Sequence, residues 1–252
     1  MSAPGTALVT GATAGLGRAM AERLAGDGYR VIGVDRDDPE KSVPFEHWRC
    51  DLADSAAVDA LADRLAGAGP FDRVVFNAGI SATGPFAAIP AEAHARLLAV
   101  NLEAPMVLCA VLAGAGALAR GGRIVFVSSL SHFTGYPGAA SYAASKDALA
   151  VYAMSIRKPF AKRLGVGVSV AFPGPLRTDH AARYAPPGAD ASRRMDPEVA
   201  AGLILAEADR GRAMIVPGRA ARLVALAGRI APGPVTAMMK RIIHDRLDGP
   251  VI

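Results

Sequence analysis

The sequence predicts an α/β protein with a single doubly wound domain, in which a parallel sheet of seven strands is flanked by helices. Short apolar runs typical of buried strands alternate along the chain with helical patterns, an order that favours parallel strands joined by helical crossovers. Hydrophobic residues make up 52% of the 252 residues and charged residues 20%, which indicates a large buried core. The composition and the order of elements therefore predict the same fold class.

The predicted strands are apolar, β-branched runs bounded by turn residues. In chain order they are 6–10, 29–34, 47–50, 73–76, 123–127, 166–171 and 212–216. Predicted helices cover 16–27, 91–118 and 197–210, a further one is capped near Asp54 or Ser55, and another begins at Ser141. Pro159 falls late in the helix from Ser141, and it is expected to kink or end it because proline lacks the N–H of a helical residue.

Residues 1–218 are predicted to form the domain, with a substrate lid near 176–196, where the chain is polar, rich in arginine and interrupted by Pro and Gly. Residues 219–252 read as a helical extension in two pieces, separated by Pro232-Gly233-Pro234. The extension mixes basic and apolar residues, a pattern that fits either packing on the domain or on a second subunit, or a peripheral contact with a membrane surface. Packing is the preferred interpretation.

Charge and cysteine content narrow the class of protein. The net charge is +5, but the arginines are scattered without interleaved aromatic residues, which argues against a nucleic-acid partner. Cys50 and Cys109 lie in apolar runs and offer no disulfide or metal framework, so we expect no metal and a reducing compartment. The chain begins without a signal-peptide pattern, and the apolar stretch 97–119 is interrupted by polar residues, so we expect a cytoplasmic protein with no membrane span.

A glycine-rich turn, Gly11 to Gly17, joins the first predicted strand to the first helix. Such a turn lets the backbone approach a pyrophosphate at a helix N-terminus, as dinucleotide-binding folds require. Asp35 follows the second strand, where a carboxylate accepts hydrogen bonds from the adenosine ribose and repels a 2′-phosphate. The sequence therefore favours NAD over NADP, although Arg36 and Arg49 offer guanidinium groups that could hold that phosphate.

The segment from Ser129 to Lys146 indicates proton-transfer chemistry. Ser129 ends a predicted strand, and Tyr142 and Lys146 lie one turn apart on one helix face. An unperturbed tyrosine titrates near 10, and lowering its pKa by about 3 units takes roughly 4 kcal/mol. A lysine ammonium one turn away supplies positive charge for this purpose.

With these pieces in place, the chain resembles the short-chain dehydrogenase/reductase family over about residues 5 to 216. The resemblance rests on several motifs in the right order and spacing. They are Thr10-Gly11-x3-Gly15-x-Gly17, Asp51-Leu52, Asn77-Ala78-Gly79, Asn101, Ser129, Tyr142-x3-Lys146 and Pro173-Gly174-x3-Thr178.

The resemblance implies a Rossmann domain and a catalytic tetrad of Asn101, Ser129, Tyr142 and Lys146. Tyr142 would exchange a proton with the substrate oxygen, Ser129 would hydrogen-bond that oxygen, and Lys146 would lower the tyrosine pKa and hold the nicotinamide ribose. Asn101, which by itself would read as a structural hydrogen-bonding residue, would fix a water linked to Lys146. The resemblance also implies a cofactor-binding set: Gly11, Thr13, Gly15, Leu16, Gly17, Asp35, Arg36, Asp51, Leu52, Asn77, Ala78, Gly79, Tyr142, Lys146, Pro173, Gly174, Leu176 and Thr178.

Two residues depart from the family pattern: Phe76 stands where the family usually has a second Asn, and Pro159 lies in a helix that often forms a subunit interface. The resemblance implies a homodimer or homotetramer, and the activity it implies is that of a short-chain alcohol dehydrogenase or ketone reductase. The expected substrate is an apolar secondary alcohol or ketone, because aromatic and small residues in 81–86 and 131–136 are candidates for the pocket. A regulator that binds the cofactor without catalysis is the alternative from another class.

Overall fold

The seven strands form one parallel sheet in the order β3-β2-β1-β4-β5-β6-β7. The structure is a computed structural model that describes residues 5–247 and 249–252. The predicted fold class, a doubly wound parallel sheet of seven strands, is confirmed. Its chain order reverses between β1 and β4, which is where such folds open a crevice at the carboxyl ends of their strands.

The strands are β1 Thr6–Thr10, β2 Arg30–Asp35, β3 Glu46–Arg49, β4 Phe71–Phe76, β5 Leu118–Val127, β6 Gly167–Ala171 and β7 Met214–Ile215. The longer helices are α1 Gly15–Gly26, α2 Ser55–Ala66, α3 Ala91–Leu98, α4 Ala104–Gly114, α6 Ala140–Arg163, α8 Pro197–Asp209, α9 Arg219–Ile230 and α10 Pro232–Ile242. Two short helices, α5 Ser131–Thr134 and α7 Asp179–Arg183, follow β5 and β6.

Hydrophobic cores fill both sides of the sheet. One core packs α2, α4 and α6 against the sheet and contains Phe76, Phe126 and Phe172. The other packs α1 and α8 against the opposite side. Because helices cover both faces, strands such as β6 are apolar along nearly their whole length, as parallel sheets require.

Pro159 does not end its helix, because α6 continues to Arg163. Pro159 and Ser155, whose carbonyl would normally accept a hydrogen bond from residue 159, both lie on the exposed side of α6. Water can hydrate that carbonyl, so the missing N–H costs less there than in the core.

The predicted helix 91–118 contains an irregular turn and ends earlier than expected. Residues Ala99–Glu103 form one turn of π-helix between α3 and α4, and the helix stops at Gly114 so that Leu118 begins β5. Pro105 follows this turn at the start of α4, and it has no N–H to donate to the carbonyl of Asn101. The segment Ala91–Gly114 has a mean hydropathy of 1.9 and is long enough to cross a membrane by length and composition. It packs instead on α2 and α6 and carries the fully buried polar residue Asn101.

The predicted lid is joined at its base. Leu176 and Met195 form a parallel bridge, and the Arg177 guanidinium pairs with Asp196 at 2.8 Å. Between these points the chain forms α7, whose N-cap is Thr178, with its hydroxyl accepting a hydrogen bond from the Ala181 N–H at 3.2 Å. The predicted lid therefore contains a short helix, and its two ends are held together by the bridge and the ion pair.

The C-terminal extension contacts the loops that follow β4 and β5. Val251 pairs with Thr83 in an antiparallel bridge, with backbone hydrogen bonds of 2.8 and 2.9 Å. Thr236 donates a hydrogen bond to the Thr134 carbonyl at 2.9 Å, and the Arg229 guanidinium lies 4.7 Å from the centre of the Phe133 ring. The extension thus lies beside the segments predicted to line the substrate pocket.

Phe76 allows a test of why this chain departs from the family pattern. Its ring stacks on Phe126 at a centroid distance of 5.0 Å in the core. We expect Phe76→Asn, which restores the usual family residue, to lower the free energy of unfolding by about 4 kcal/mol, because it removes a buried ring and buries an amide. Urea unfolding followed by circular dichroism measures this change.

Phe86→Asn is the matched control, since Phe86 is 82% exposed and the same substitution there should change the free energy of unfolding by less than about 0.5 kcal/mol. Equal effects of the two substitutions would show that core packing is not the reason for phenylalanine at position 76.

Candidate active site

The glycine-rich turn is shaped by backbone contacts that exclude side chains. A Cβ on Gly17 would collide with the carbonyl oxygen of Gly11, so the helix α1 starts in direct contact with the turn. Gly11 and Gly15 have φ angles of +69° and +53°, a region that favours glycine. Ala14 ends the turn without a side-chain cap, leaving the first N–H groups of α1 for an anion.

Asn77 and Thr10 hold this turn against the end of β4. The Asn77 side-chain amide donates to the carbonyls of Thr10 and Gly11, both at 3.2 Å. The Thr10 hydroxyl accepts from the N–H groups of Asn77 and Ala78, both at 3.1 Å. The predicted residue Asn77 therefore shapes the turn, and Thr10, which was not among the predicted site residues, is its partner.

Asp35 lies at the end of β2 and bonds to the glycine-rich turn. The Thr13 N–H and hydroxyl both donate to Asp35 Oδ2, at 3.0 and 2.7 Å, and the Arg36 N–H donates to Oδ1 at 2.8 Å. The Arg36 guanidinium turns away to pair with Asp37 at 3.0 Å. The carboxylate is thus fixed next to the turn, with acceptor capacity remaining on Oδ1.

The remaining predicted cofactor residues lie around the same crevice. Asp51 accepts from the Ala53 N–H at 3.0 Å and pairs with Arg96 at 2.8 Å, while Leu52 is buried. The loop that follows β6 returns to the glycine-rich turn, since a Cβ on Gly15 would lie 3.1 Å from Thr178 Cγ2. This loop contains the predicted residues Pro173, Gly174, Leu176 and Thr178.

Ser129 and Tyr142 meet where β5 ends beside α6. The Ser129 hydroxyl lies close enough to the Tyr142 phenol to influence its protonation. The Ser131 N–H donates to Ser129 Oγ at 3.2 Å and so orients it. On the other side, Tyr136 meets Tyr142 edge to face at a centroid distance of 6.1 Å.

Lys146 is buried, with 3% of its surface exposed, and its ammonium donates to the Val127 carbonyl at 2.9 Å. The neighbouring backbone is that of Gly79, where a Cβ would lie 2.9 Å from Lys146 Nζ. Ser128 donates to the Lys146 carbonyl at 2.9 Å, on the face opposite to Ser129 as a strand requires. Glycine at position 79 thus lets the ammonium lie directly against the backbone, whereas a larger residue would require Lys146 Nζ to shift.

Asn101 connects the loop after β4 to the helix α6. Its amide donates to the Ile80 carbonyl at 2.9 Å and to the Ser145 hydroxyl at 3.0 Å, and its Oδ1 accepts from the Ile80 N–H at 2.8 Å. The Ser145 hydroxyl in turn donates to the Tyr142 carbonyl at 2.8 Å. Sequence reasoning missed Ser145, although its place directly before Lys146 was the available signal.

Burial sets the protonation state of both titratable residues of the site. It raises the pKa of Tyr142 to about 12, although the neighbouring Ser129 hydroxyl opposes this. It lowers the pKa of Lys146 to about 8. The sequence led us to expect a lowered tyrosine pKa, but in the protein without a cofactor the burial of the phenol outweighs the charges around it. At neutral pH the phenol is protonated and the ammonium is charged.

Some expected pocket residues have other roles. His132 Nδ1 lies 2.6 Å from Asp147 Oδ1, and its ring packs on Phe133 and Phe172. Phe133 is buried beneath the C-terminal extension. Among the candidates after β5, Tyr136 lies edge to face against Tyr142.

The residues present fit a dinucleotide. Three glycines in close backbone contact, uncapped N–H groups at the start of α1, a fixed carboxylate after β2 and a buried ammonium beside Gly79 match the pyrophosphate, the adenosine ribose and the nicotinamide ribose in turn. In the part of the chain that the structure describes, no cluster of three or more His, Cys, Asp or Glu side chains could hold a metal ion.

The fold and the site define a nicotinamide-dependent oxidoreductase. The family model described as short chain dehydrogenase matches residues 5–187. The chain therefore belongs to the short-chain dehydrogenase/reductase family.

Curated relatives and solved structures agree with this assignment. The chain is 32% identical over 178 residues to a cyclic-di-GMP-binding biofilm dispersal mediator protein of Escherichia coli, and 31% identical over 181 residues to the 3-oxoacyl-(acyl-carrier-protein) reductase FabG of the same organism. Each match covers 69% of this chain and 74% of the relative. A short-chain dehydrogenase from Sphingobium yanoikuyae in complex with NADPH has a TM-score of 0.75 and 27% identity, covering 90% of this chain and 93% of that one.

The burial of Lys146 predicts a pH dependence of stability. Its pKa is lower in the folded protein, about 8, than in the unfolded chain, so between about pH 8 and 10.5 the unfolded state binds more protons. Stability from this group therefore rises with pH in that window. We therefore expect the free energy of unfolding of the wild type, minus that of Lys146→Met, to increase by on the order of 2 kcal/mol from pH 8 to 10. Urea unfolding of the cofactor-free protein measures it.

The same substitution at Lys158, on the exposed side of α6, controls for loss of a lysine from this helix. A wild-type minus Lys146→Met difference that stays flat or falls from pH 8 to 10 would contradict the prediction.

Proposed function

We propose that the protein transfers a hydride between a nicotinamide cofactor and an apolar secondary alcohol or ketone, with Tyr142 as the general acid/base. The observation that carries this proposal is the placement of the Ser129 hydroxyl close to the Tyr142 phenol, with the buried ammonium of Lys146 one helical turn further along α6. The bound cofactor supplies the hydride chemistry, and the protein supplies position and the proton.

Each residue of the tetrad has a proposed role. In reduction, the protonated Tyr142 donates its proton to the oxygen of the carbonyl, and Ser129 donates a hydrogen bond to the same oxygen as negative charge develops there. Lys146 holds the nicotinamide ribose with its charged ammonium. Asn101 positions α6 through Ser145, so that Tyr142 and Lys146 keep their places. In oxidation, the phenol must first lose its proton, so this direction is favoured by alkaline pH.

Tyr142→Phe tests the proton-transfer role. We expect it to lower turnover to no more than a few per cent of the wild type while leaving the affinity for the cofactor nearly unchanged, because only the hydroxyl is removed. Turnover is measured by the absorbance of the reduced nicotinamide with a panel of ketones and secondary alcohols, and affinity by fluorescence titration.

Tyr152→Phe is the matched control, since it removes a hydroxyl from the same helix away from the Ser129 pair and should keep nearly full turnover. If Tyr142→Phe keeps more than a few per cent of wild-type turnover, the mechanism is wrong.

Within this function, NAD is proposed as the preferred cofactor. Asp35 places a fixed negative charge after β2, where it would repel a 2′-phosphate, and the Arg36 guanidinium is held by Asp37. The Sphingobium structure contains NADPH, but the cofactor of a relative does not decide the cofactor of this chain. The proposed preference for NAD therefore depends on Asp35 and Arg36 of this chain.

Asp35→Asn tests the cofactor preference. We expect the ratio of kcat/KM for NADP to that for NAD to rise at least tenfold, because an amide removes the repulsion but can still accept hydrogen bonds from Thr13. Steady-state kinetics with both cofactors measure the ratio. Asp38→Asn is the control, since the same charge is removed from a side chain that is 72% exposed. A wild type that uses NADP better than NAD would refute the preference.

A second candidate function is a regulator that binds the cofactor without turnover. One curated relative, named as a cyclic-di-GMP-binding biofilm dispersal mediator, favours including it. The two functions differ in an observable way, because a regulator would bind NADH tightly yet oxidise and reduce nothing across a broad panel. The tetrad contacts support the enzyme as the first choice.

The cysteines and the exposed apolar side chains support a proposed location and a proposed assembly. Two free, buried cysteines fit a reducing compartment such as the cytoplasm. Exposed apolar side chains on α4 and α6, namely Met106, Val151 and Met154, support a homodimer or homotetramer.

A further inference from the structure

The helix α9 carries an apolar stripe that the domain does not cover. Leu223, Leu226 and Ile230 recur at the spacing of one helix face and are 69%, 53% and 75% exposed. The buried residues of α9, Ala225 and Gly228, lie on the opposite face. Gly228 packs so closely that a Cβ there would collide with the Phe133 carbonyl. The orientation of α9 is therefore fixed, with its stripe directed outward.

The neighbouring helix α10 also exposes large apolar side chains. It packs on α9 and presents Met238 and Ile242, which are 46% and 45% exposed and lie one turn apart. The stripe of α9 and these two residues of α10 are together called the tail surface. Single apolar residues are common on protein surfaces, but here five large ones are exposed on two adjoining helices. Such a concentration indicates a binding surface.

The charge of the extension identifies the kind of partner. Residues 219–252 contain six basic and two acidic side chains, which leave +4 of the net charge of +5 of the whole chain. Arg222 and Arg229 flank the stripe on one side of α9. Arg219 is exposed in line with the stripe, and Arg241 is exposed on α10. Basic residues around an exposed apolar stripe are the pattern of helices that lie in the interface of anionic membranes.

We propose that the tail surface docks the protein on an anionic lipid surface. The five apolar side chains enter the boundary between headgroups and acyl chains, and Arg219 and Arg241 contact lipid phosphates and carboxylates. The extension contacts the loops after β4 and β5 at Thr83, Thr134 and Phe133. Docking therefore brings the membrane next to the predicted substrate pocket. An apolar substrate could then be taken from the lipid, and this last point alone rests on the proposed function.

Co-sedimentation with vesicles tests the docking. We expect the full-length protein to bind vesicles containing 30% phosphatidylserine much more tightly than pure phosphatidylcholine vesicles, and to lose most of this binding when salt is raised from 0.05 to 0.5 M. Leu226→Gln with Ile230→Gln should weaken binding at least tenfold, and so should Arg219→Gln with Arg241→Gln. Neither pair should change cofactor affinity or turnover, because none of the four residues belongs to the tetrad or to the predicted cofactor-binding set.

Two matched controls separate docking from general effects of charge and hydrophobicity. Val199→Gln with Leu203→Gln removes two exposed apolar residues one turn apart on α8, and Lys162→Gln with Arg163→Gln removes two exposed charges at the end of α6. Both should keep wild-type vesicle binding.

The competing occupant of the tail surface is a second copy of this chain. Light scattering on a sizing column distinguishes it, because in that case Leu226→Gln with Ile230→Gln would dissociate an oligomer. Dissociation by this pair together with no binding of the wild type to anionic vesicles would overturn the proposal. Equal loss of vesicle binding in the control pairs would overturn it as well.

Discussion

The burial of one ammonium group against the backbone is the constraint on which the rest of the site depends. Lys146 is buried, so its charge needs a polar partner, and the Val127 carbonyl at 2.9 Å provides one. That contact ties α6 to the end of β5. The ammonium also lies against the chain after β4, since a Cβ at Gly79 would be 2.9 Å from Lys146 Nζ. One buried charge thereby fixes the relative position of three segments that carry the site.

The polar network around Lys146 extends this constraint to Ser129 and Tyr142. Asn101 is fully buried and uses both ends of its amide on Ile80 and Ser145, so the π-helical turn that carries it is held on two sides. Turns of π-helix occur most often at functional sites, where they re-aim a side chain at the cost of regular helix bonding. Here the irregular turn places Asn101 between the loop after β4 and the start of α6. Because the end of β5 and the start of α6 are both held in place, Ser129 and Tyr142 lie next to each other.

Much of the fold and of the tetrad could be predicted because it depends on short-range patterns. The run from Thr6 to Gly17 encodes strand, turn and helix within a few residues, and the spacing of Tyr142 and Lys146 places them on one helix face without knowledge of the tertiary fold. Features that depend on what lies across space could not be predicted in the same way. Pro159 is tolerated because it faces water, and Phe76 is favoured because Phe126 lies next to it. Similarly, His132 was a pocket candidate by position, but it contacts Asp147 and two phenylalanines.

The protonation state of Tyr142 shows why proximity in sequence is a weak guide to electrostatics. A lysine one helical turn away suggests a lowered tyrosine pKa, but the ammonium is directed to the Val127 carbonyl, and burial of the phenol has the larger effect. Both side chains lose hydration, and burial penalises the charged form of each, so their pKa values move apart: the phenol keeps its proton, and the ammonium holds its proton less strongly. A site in this state keeps a proton on the Tyr142 phenol. Any group that adds positive charge or hydrogen bonds near the phenol then shifts it toward release, so binding and proton transfer are coupled through the same buried volume.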